Sequence, residues 1–220
     1  MSSIKHAIIS AAGMGTRLGL NMPKCLLQFS GTSIIQHQLD LLKDIEDVRV
    51  VVGFMEEDVI KVIKSIRKDI VFVRNPHYQD TSNTYSISLA TKGLNKPHIL
   101  LDGDLLINKK SFSEFLNSFD GVNSLVGVTE SSTDDAVYVE LNDKNEVIKF
   151  SREKKSEHEW SGIACLNNII VKEEDPYLYQ VLEKHLPLQA KYIECSEIDT
   201  ADDLNRAQHL WSRYFFDESL

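Results

Sequence analysis

Long hydrophobic runs are missing from this sequence. No stretch approaches the roughly 18 consecutive apolar residues that read as a membrane-spanning helix. The opening "MSSIKHAIIS" has too short an apolar run for a secretory leader and lacks an A-x-A-like cleavage site, so a cytoplasmic location is expected. Cysteine is scarce: Cys25, Cys165 and Cys195 are far apart and odd in number, with no C-x-x-C. That excludes a disulfide framework and a cysteine-based zinc site, and leaves reduced, partly buried thiols. Basic charge is also short, 24 Lys and Arg against 33 Asp and Glu, for a net charge of −9. A surface for nucleic acid or an anionic membrane is therefore not expected, since such faces are basic. A small phosphate ligand is not excluded, because a few local donors suffice for it. Nor is there a Pro/Gly/Ser-rich linker or an internal repeat, so residues 1–220 read as one domain.

What is present is ordinary globular material, 42% apolar and 26% charged over 220 residues, enough for a sizeable core. Residues 4–11 are a short apolar run opening into glycines, which predicts a buried strand and a turn. Residues 33–43 place Ile35, Leu39 and Leu42 at helical spacing behind a capping serine. Strands are expected at 48–54, 70–75 and 97–104, and helices at 56–68 and 83–94, the last ending at Gly93. This alternation predicts parallel strands with helices on both faces. Beyond it, residues 123–130, 135–151 and 160–167 read as strands, with "NDKN" as a hairpin turn. Helices are expected again near 174–185 and 200–214, flanking a strand at 190–199.

The most informative segment is "AAGMGTRLGLNMPK", residues 11–24, directly after the first strand. Successive amides of a glycine turn can point at one oxyanion, and glycine lets the backbone approach it closely. Arg17 and Lys24 then supply charge for a polyphosphate, Arg in bidentate fashion and Lys as a point charge. A dinucleotide fingerprint needs a third glycine where Leu18 stands and an acid at the tip of the second strand, which instead reads "VVGF". No P-loop pattern occurs.

Residues 11–42 resemble the signature of the nucleotidyltransferases that activate sugar phosphates and small alcohol phosphates, roughly A-A-G-x-G-x-R followed by P-K. "NPHYQDTSNTYSISLA" is similar to the N-N-x-Y-S-L segment of the choline-phosphate cytidylyltransferase-like branch. "ILLDGDLLI" resembles the family's metal-binding strand end, "EWSGIACLN" its G-E-F-x-G-I strand, and "CSEIDTADDLNRA" its closing E-I-D-[ST]-x-x-D-L. These motifs occur in family order over nearly the whole chain.

The resemblance implies a Rossmann-like α/β fold, with a mixed, mainly parallel sheet and an antiparallel insertion on the acceptor side. Residues 1–107 would bind the nucleotide, and residues 108–220 would hold the acceptor and the closing metal-binding strand. It implies a Mg²⁺-dependent cytidylyltransferase that joins CTP to a small phosphorylated acceptor, giving a CDP-linked product and pyrophosphate. The acceptor would be phosphocholine-like, a phosphonate or a polyol phosphate, destined for surface glycan or lipid. Uridylyl or thymidylyl transfer to a sugar 1-phosphate stays open, as do a non-catalytic nucleotide-binding regulator and a homodimer. By the same resemblance Asp104 and Asp199 are the Mg²⁺ ligands, while Arg17 and Lys24 are catalytic. Ala11, Ala12, Gly13, Met14, Gly15 and Thr16 would bind the nucleotide with Asn83, Ser86 and a supporting Asp102. Arg152, Lys154 and Glu159 would meet the acceptor, with Asp134 and Asp135 as further acids for an amine or hydroxyls. Ala136 stands near the place where the choline branch carries tryptophan, which counts against choline itself.

Overall fold

The structure is a computed structural model, and it describes residues 4–132 and 135–215. Its elements in chain order are β1 (His6–Ala11), β2 (Gln28–Phe29), β3 (Thr32–Ser33), α1 (Ile34–Leu41), β4 (Asp47–Val52), α2 (Glu56–Ile66) and β5 (Ile70–Arg74). There follow α3 (Asn83–Thr91), β6 (His98–Asp102), β7 (Leu105–Ile107), α4 (Lys109–Ser118), β8 (Leu125–Glu130) and β9 (Tyr138–Leu141). The chain continues through β10 (Glu146–Ser151), β11 (His158–Leu166), α5 (Leu178–Glu183), β12 (Leu188–Tyr192), β13 (Cys195–Glu197) and α6 (Ala201–Phe215).

A nine-stranded sheet runs in the order β5-β4-β1-β6-β11-β8-β12-β10-β9. β5, β4, β1 and β6 are mutually parallel, as the strand–helix alternation predicts. From β11 onward the sheet is antiparallel except where β12 runs parallel to β8. β9 also pairs back onto the start of β11, so the pairings of this second half close on themselves. The result is the mixed α/β architecture expected from the sequence.

β1, β4 and β6 are buried on both faces through most of their length, which explains their apolar runs, while the edge strand β5 is partly exposed. Ile9, Val50, Ile99 and Leu101 face a core shared with Leu39 of α1, Ile63 of α2 and Phe112 and Phe115 of α4. Ile8, Val51 and Leu100, at alternating positions, face α3 and α5 through Ile87, Ala90 and Val181. Each fully buried Ile or Leu of this kind contributes about 1.5–3 kcal/mol. Local signals set the helix starts: Ser33, Ser82 and Asn108 accept from the amides of Gln36, Tyr85 and Ser111. α4 has no counterpart among the expected elements. The expected strand at 190–199 is two short strands, β12 in the main sheet and β13 paired instead with β7. No helix among the described residues is long and apolar enough to cross a membrane.

Strand order reverses about β1, whose chain goes first to β4 and β5 and only then to β6 on the other side. The carboxyl ends of β1 and β6 therefore open a crevice of the kind in which α/β sheets bind ligands.

Candidate active site

At that crevice lies a cleft of about 230 Å³. It is lined by Ser10, Ala11 and Ala12 at the end of β1, by Gly13 and Gly15 of the loop, and by Asn83, Asp102 and Asp104. The glycine loop leaves β1 and enters a 3₁₀ turn at Thr16–Leu18. Gly15 has φ 60°, and a Cβ there would lie 2.7 Å from Lys24 Cγ. Glycine is thus required twice, for the left-handed backbone and for the lysine stem laid across it. Gly103 is required by contact: an added Cβ would lie 2.7 Å from the Ser10 carbonyl oxygen, which accepts from the Gly103 amide at 2.9 Å.

Lys24 is the centre of the charge arrangement. Its ammonium donates to Asp104 Oδ2 at 2.9 Å and also to Asp199 Oδ1. Arg17 reaches the other oxygen of Asp199 at 2.6 Å and lies 3.8 Å from Asp135. Burial alone would lower the Lys24 pKa, but Asp104 and Asp199 outweigh it and leave the ammonium above its ordinary value. Lys24 is therefore a permanent cation here, not a base.

Asp104, Glu197 and Asp199 form one cluster, with a carboxylate oxygen from each within 4.8 Å of the others. Burial, then the neighbouring Asp104, pushes Asp102 up to about 7. Glu197 keeps a solvent-facing side; desolvation by the cleft walls, with Asp104, Asp199 and Asp102 close by, pushes it up to about 9. Even with Lys24 and Arg17 beside it, burial and mutual repulsion push two of these carboxyls upward, and the all-oxygen donor set of Asp104, Glu197 and Asp199 fits a hard divalent cation. Glu197 is absent from the expected ligands. Its signal is the spacing in "EID": at extended spacing residues two apart share a face, and Glu197 at the end of β13 meets Asp199 just beyond it.

The residues after Asp199 fix its backbone. Thr200 Oγ1 accepts from the Asp203 amide at 3.2 Å, while Asp203 Oδ2 accepts from the Thr200 amide at 2.8 Å and the Asp199 amide at 3.2 Å. This reciprocal capping box starts α6 and leaves the Asp199 carboxylate facing the cleft. On the opposite wall, Asn83 accepts from the Ser10 hydroxyl and donates to Asp102 Oδ1, tying the ends of β1, α3 and β6 together. Ser86 lines the cleft but is buried, its hydroxyl accepting from Asn75 Nδ2 at 3.0 Å. Cys25 borders the cleft as an inert thiol, pushed up to about 12 by burial.

Not every expected residue arrives. Met14 and Thr16 belong to the loop, but neither lines the cleft. A second cavity of about 650 Å³ adjoins the first and shares Arg17, Asn83, Asp102, Glu197 and Asp199 with it. Of the three residues expected to meet the acceptor, Arg152 and Glu159 line it. Lys154 does not line it: it lies exposed just past the end of β10, its ammonium donating to Glu140 at 2.7 Å. Asp134 lies outside the described residues. Sequence reasoning missed the aromatic wall of this cavity, Trp160, Tyr177 and Tyr179. The two tyrosine rings stack at 5.8 Å, and the Arg152 guanidinium lies 5.5 Å from the Tyr177 centroid. Ala136 lines the cavity too.

A cleft of this kind marks the class of α/β proteins that handle nucleoside phosphates at the carboxyl ends of parallel strands. Within that class the assignment is specific: residues 7–175 match the MobA-like NTP transferase domain, and the chain belongs to this nucleotidyltransferase family. It is 29% identical over 214 residues to the bifunctional protein GlmU of Sulfurovum sp., covering 92% of this chain and 47% of that protein. It is 36% identical over 113 residues to the choline-phosphate cytidylyltransferase of Streptococcus pneumoniae, covering 48% of this chain and 47% of that one. The chain spans about half the length of these curated relatives. Among solved structures, the CTP:phosphocholine cytidylyltransferase of S. pneumoniae shares the fold with a TM-score of 0.77 at 24% identity, covering 94% of this chain and all 100% of that one. The inositol-1-phosphate CTP transferase of T. maritima does so with a TM-score of 0.77 at 20% identity, covering 100% and 99%.

Proposed function

We propose that the protein is a Mg²⁺-dependent cytidylyltransferase that transfers CMP from CTP to a small phosphorylated acceptor. The observation that carries this reading is the convergence on one ion-pair network of Lys24, Arg17 and two of three clustered carboxylates, at the end of the glycine loop. An oxygen of the acceptor phosphate attacks the α-phosphorus of CTP; the bond to the bridging oxygen breaks, and pyrophosphate leaves with that electron pair. No protein nucleophile enters. The chain's task is to bring two anions together and hold them in line, which is positional and electrostatic work. Asp104, Glu197 and Asp199 would hold Mg²⁺, which when bound neutralises phosphate charge. Lys24 serves the α-phosphate and Arg17 the leaving pyrophosphate, while the loop amides from Ala11 to Gly15 and Asn83 hold the nucleotide.

The second cavity supports an acceptor with a cationic head. Trp160, Tyr177 and Tyr179 offer ring faces, Glu159 and Asp135 offer negative charge, and Arg152 is placed for the acceptor phosphate. Trp160 supplies from β11 the indole that Ala136 does not. A CDP-linked product of this kind is what a glycan- or lipid-building transferase consumes, in the cytoplasm on this reading.

The test is pyrophosphate release with Mg²⁺, four nucleoside triphosphates and a panel of phosphorylated amines, polyols and sugar 1-phosphates. CTP with an amino-alcohol phosphate is expected to turn over fastest; a preference for UTP or dTTP with a sugar 1-phosphate would move the protein to the sugar branch. Asp104→Ala and Lys24→Ala are each expected to lower the rate at least ~100-fold, the scale of losing a charge-stabilising group. No turnover with any pair, together with unchanged CTP binding in Asp104→Ala, would leave a nucleotide-binding regulator instead.

A further inference from the structure

The triad is not mounted on the main sheet. Asp104 precedes β7, Glu197 ends β13, and Asp199 follows two residues later, so all three ride on the small β7–β13 ribbon. One edge of β7 is taken by β13; at the other edge, side chains of α1 replace a strand. His37 Nε2 lies 2.6 Å from the Ile107 carbonyl oxygen. The Gln38 side-chain amide donates to the carbonyls of both Asp102 and Leu105 at 2.9 Å, one hydrogen to each. Those carbonyls bracket the Gly103–Asp104 turn. Gln38 is fully buried, and its Oε1 faces no donor among the described residues. A buried acceptor left without a partner costs about 1–3 kcal/mol, so packing alone is a poor reason for glutamine at this position.

We propose that Gln38 is a positioning residue for the metal-binding carboxylate of Asp104. Its amide fixes the turn at both ends, so that the Asp104 side chain points at Asp199 and Glu197 before any ion arrives. This rests on the nucleotidyltransferase reading, in which those three carboxylates hold the divalent ion.

The experiment measures Mn²⁺ binding to the intact chain by the loss of the free-ion electron paramagnetic resonance signal, in wild type, Gln38→Leu, Gln38→Glu and Asp104→Asn. Gln38→Leu is expected to weaken Mn²⁺ binding about 10–100-fold, as loss of a residue that orients a ligand does. Binding of a fluorescent CTP analogue in EDTA should stay within about twofold, and amide exchange at 103–105 should quicken. Gln38→Glu, protonated in this buried place, keeps one of the two bonds and should fall between Gln38→Leu and wild type. It decides the matter if Gln38→Leu does not fold. Wild-type Mn²⁺ affinity in the folded Gln38 variant, with Asp104→Asn weakened, overturns the role of Gln38 alone. Wild-type affinity in Asp104→Asn as well overturns the metal-site reading and this proposal with it.

Discussion

Lys24 is held by an absence. Its stem crosses Gly15 at a distance no β-carbon would allow, and from there its ammonium spans Asp104 and Asp199. Gly15→Ala therefore has two effects. The left-handed φ costs about 1 kcal/mol for an L side chain, and the new methyl pushes the lysine stem aside. A displacement of about 1 Å of a charged group at a reacting centre can cost ~100-fold in rate. We expect Gly15→Ala to stay folded by circular dichroism, to melt slightly lower, and to lose about two orders of magnitude in pyrophosphate release. At this scale the sequence is legible where one residue type has one use. The glycine loop and its two cations stand out because their types and spacing suit a phosphate, whereas Asp104 and Asp199 are singled out by resemblance to the family's motifs. Glu197 leaves only the weak signal of its spacing from Asp199, and the three rings of the second cavity leave none, since aromatics on a strand or at a helix start serve equally as surface and core. The pairing of β13 with β7 places Glu197, the seating of α5 places the tyrosines, and β11 carries Trp160 to the same cavity.

Among the elements, α6 does more than cover the ribbon. Its first turn fixes the backbone of Asp199 through Asp203, whose carboxyl also meets Arg206. Burial alone would raise the Asp203 carboxyl; the Thr200 hydroxyl and amide, with Arg206, outweigh it and hold it below the ordinary aspartate range. A carboxyl depressed in the fold stabilises fully above its unfolded value of about 3.9 and loses that contribution as pH falls through the lower folded value. Asp203→Ala is expected to cost about 1–2 kcal/mol near pH 7, the scale of a lost helix cap. Urea unfolding from pH 7 down to pH 3 should show the gap between wild type and variant closing below about pH 4; a gap that widened there would contradict the depressed carboxyl. The helices and parallel strands were legible because their apolar periods are strong and their caps are local. α4 was not, since lysines and serines surround its two buried phenylalanines. The β12–β13 break leaves only a slip of the apolar-polar alternation at Tyr192 and Ile193, and tertiary pairing is what sends the two pieces to different partners.

At the scale of the whole molecule, the triad joins distant parts of the chain, Asp104 from the parallel half with Glu197 and Asp199 from its far end. An ion bound there is bound by the folded state alone, so it stabilises by mass action, about 2.7 kcal/mol at a hundred times its Kd. For a chain of this size that is a rise of about 5–10 °C in Tm. The carboxyl shifts set its pH dependence. Asp102 at about 7 and Glu197 at about 9 lie above their unfolded values, so the metal-free fold binds extra protons between about pH 4 and pH 9. The sign is then fixed: without metal, stability falls as pH rises through that window, because ionising these groups costs more in the fold than out of it. Metal ligands must be ionised, so the ion competes with those protons and gains as they leave. Calorimetry at pH 6 and pH 8.5, with EDTA or with Mn²⁺, should therefore show the Tm gain from Mn²⁺ larger at pH 8.5. The metal-free Tm should move the opposite way, and Asp104→Asn should flatten both trends. A Tm gain from Mn²⁺ that is independent of pH would mean that the ion binds elsewhere than among these carboxylates.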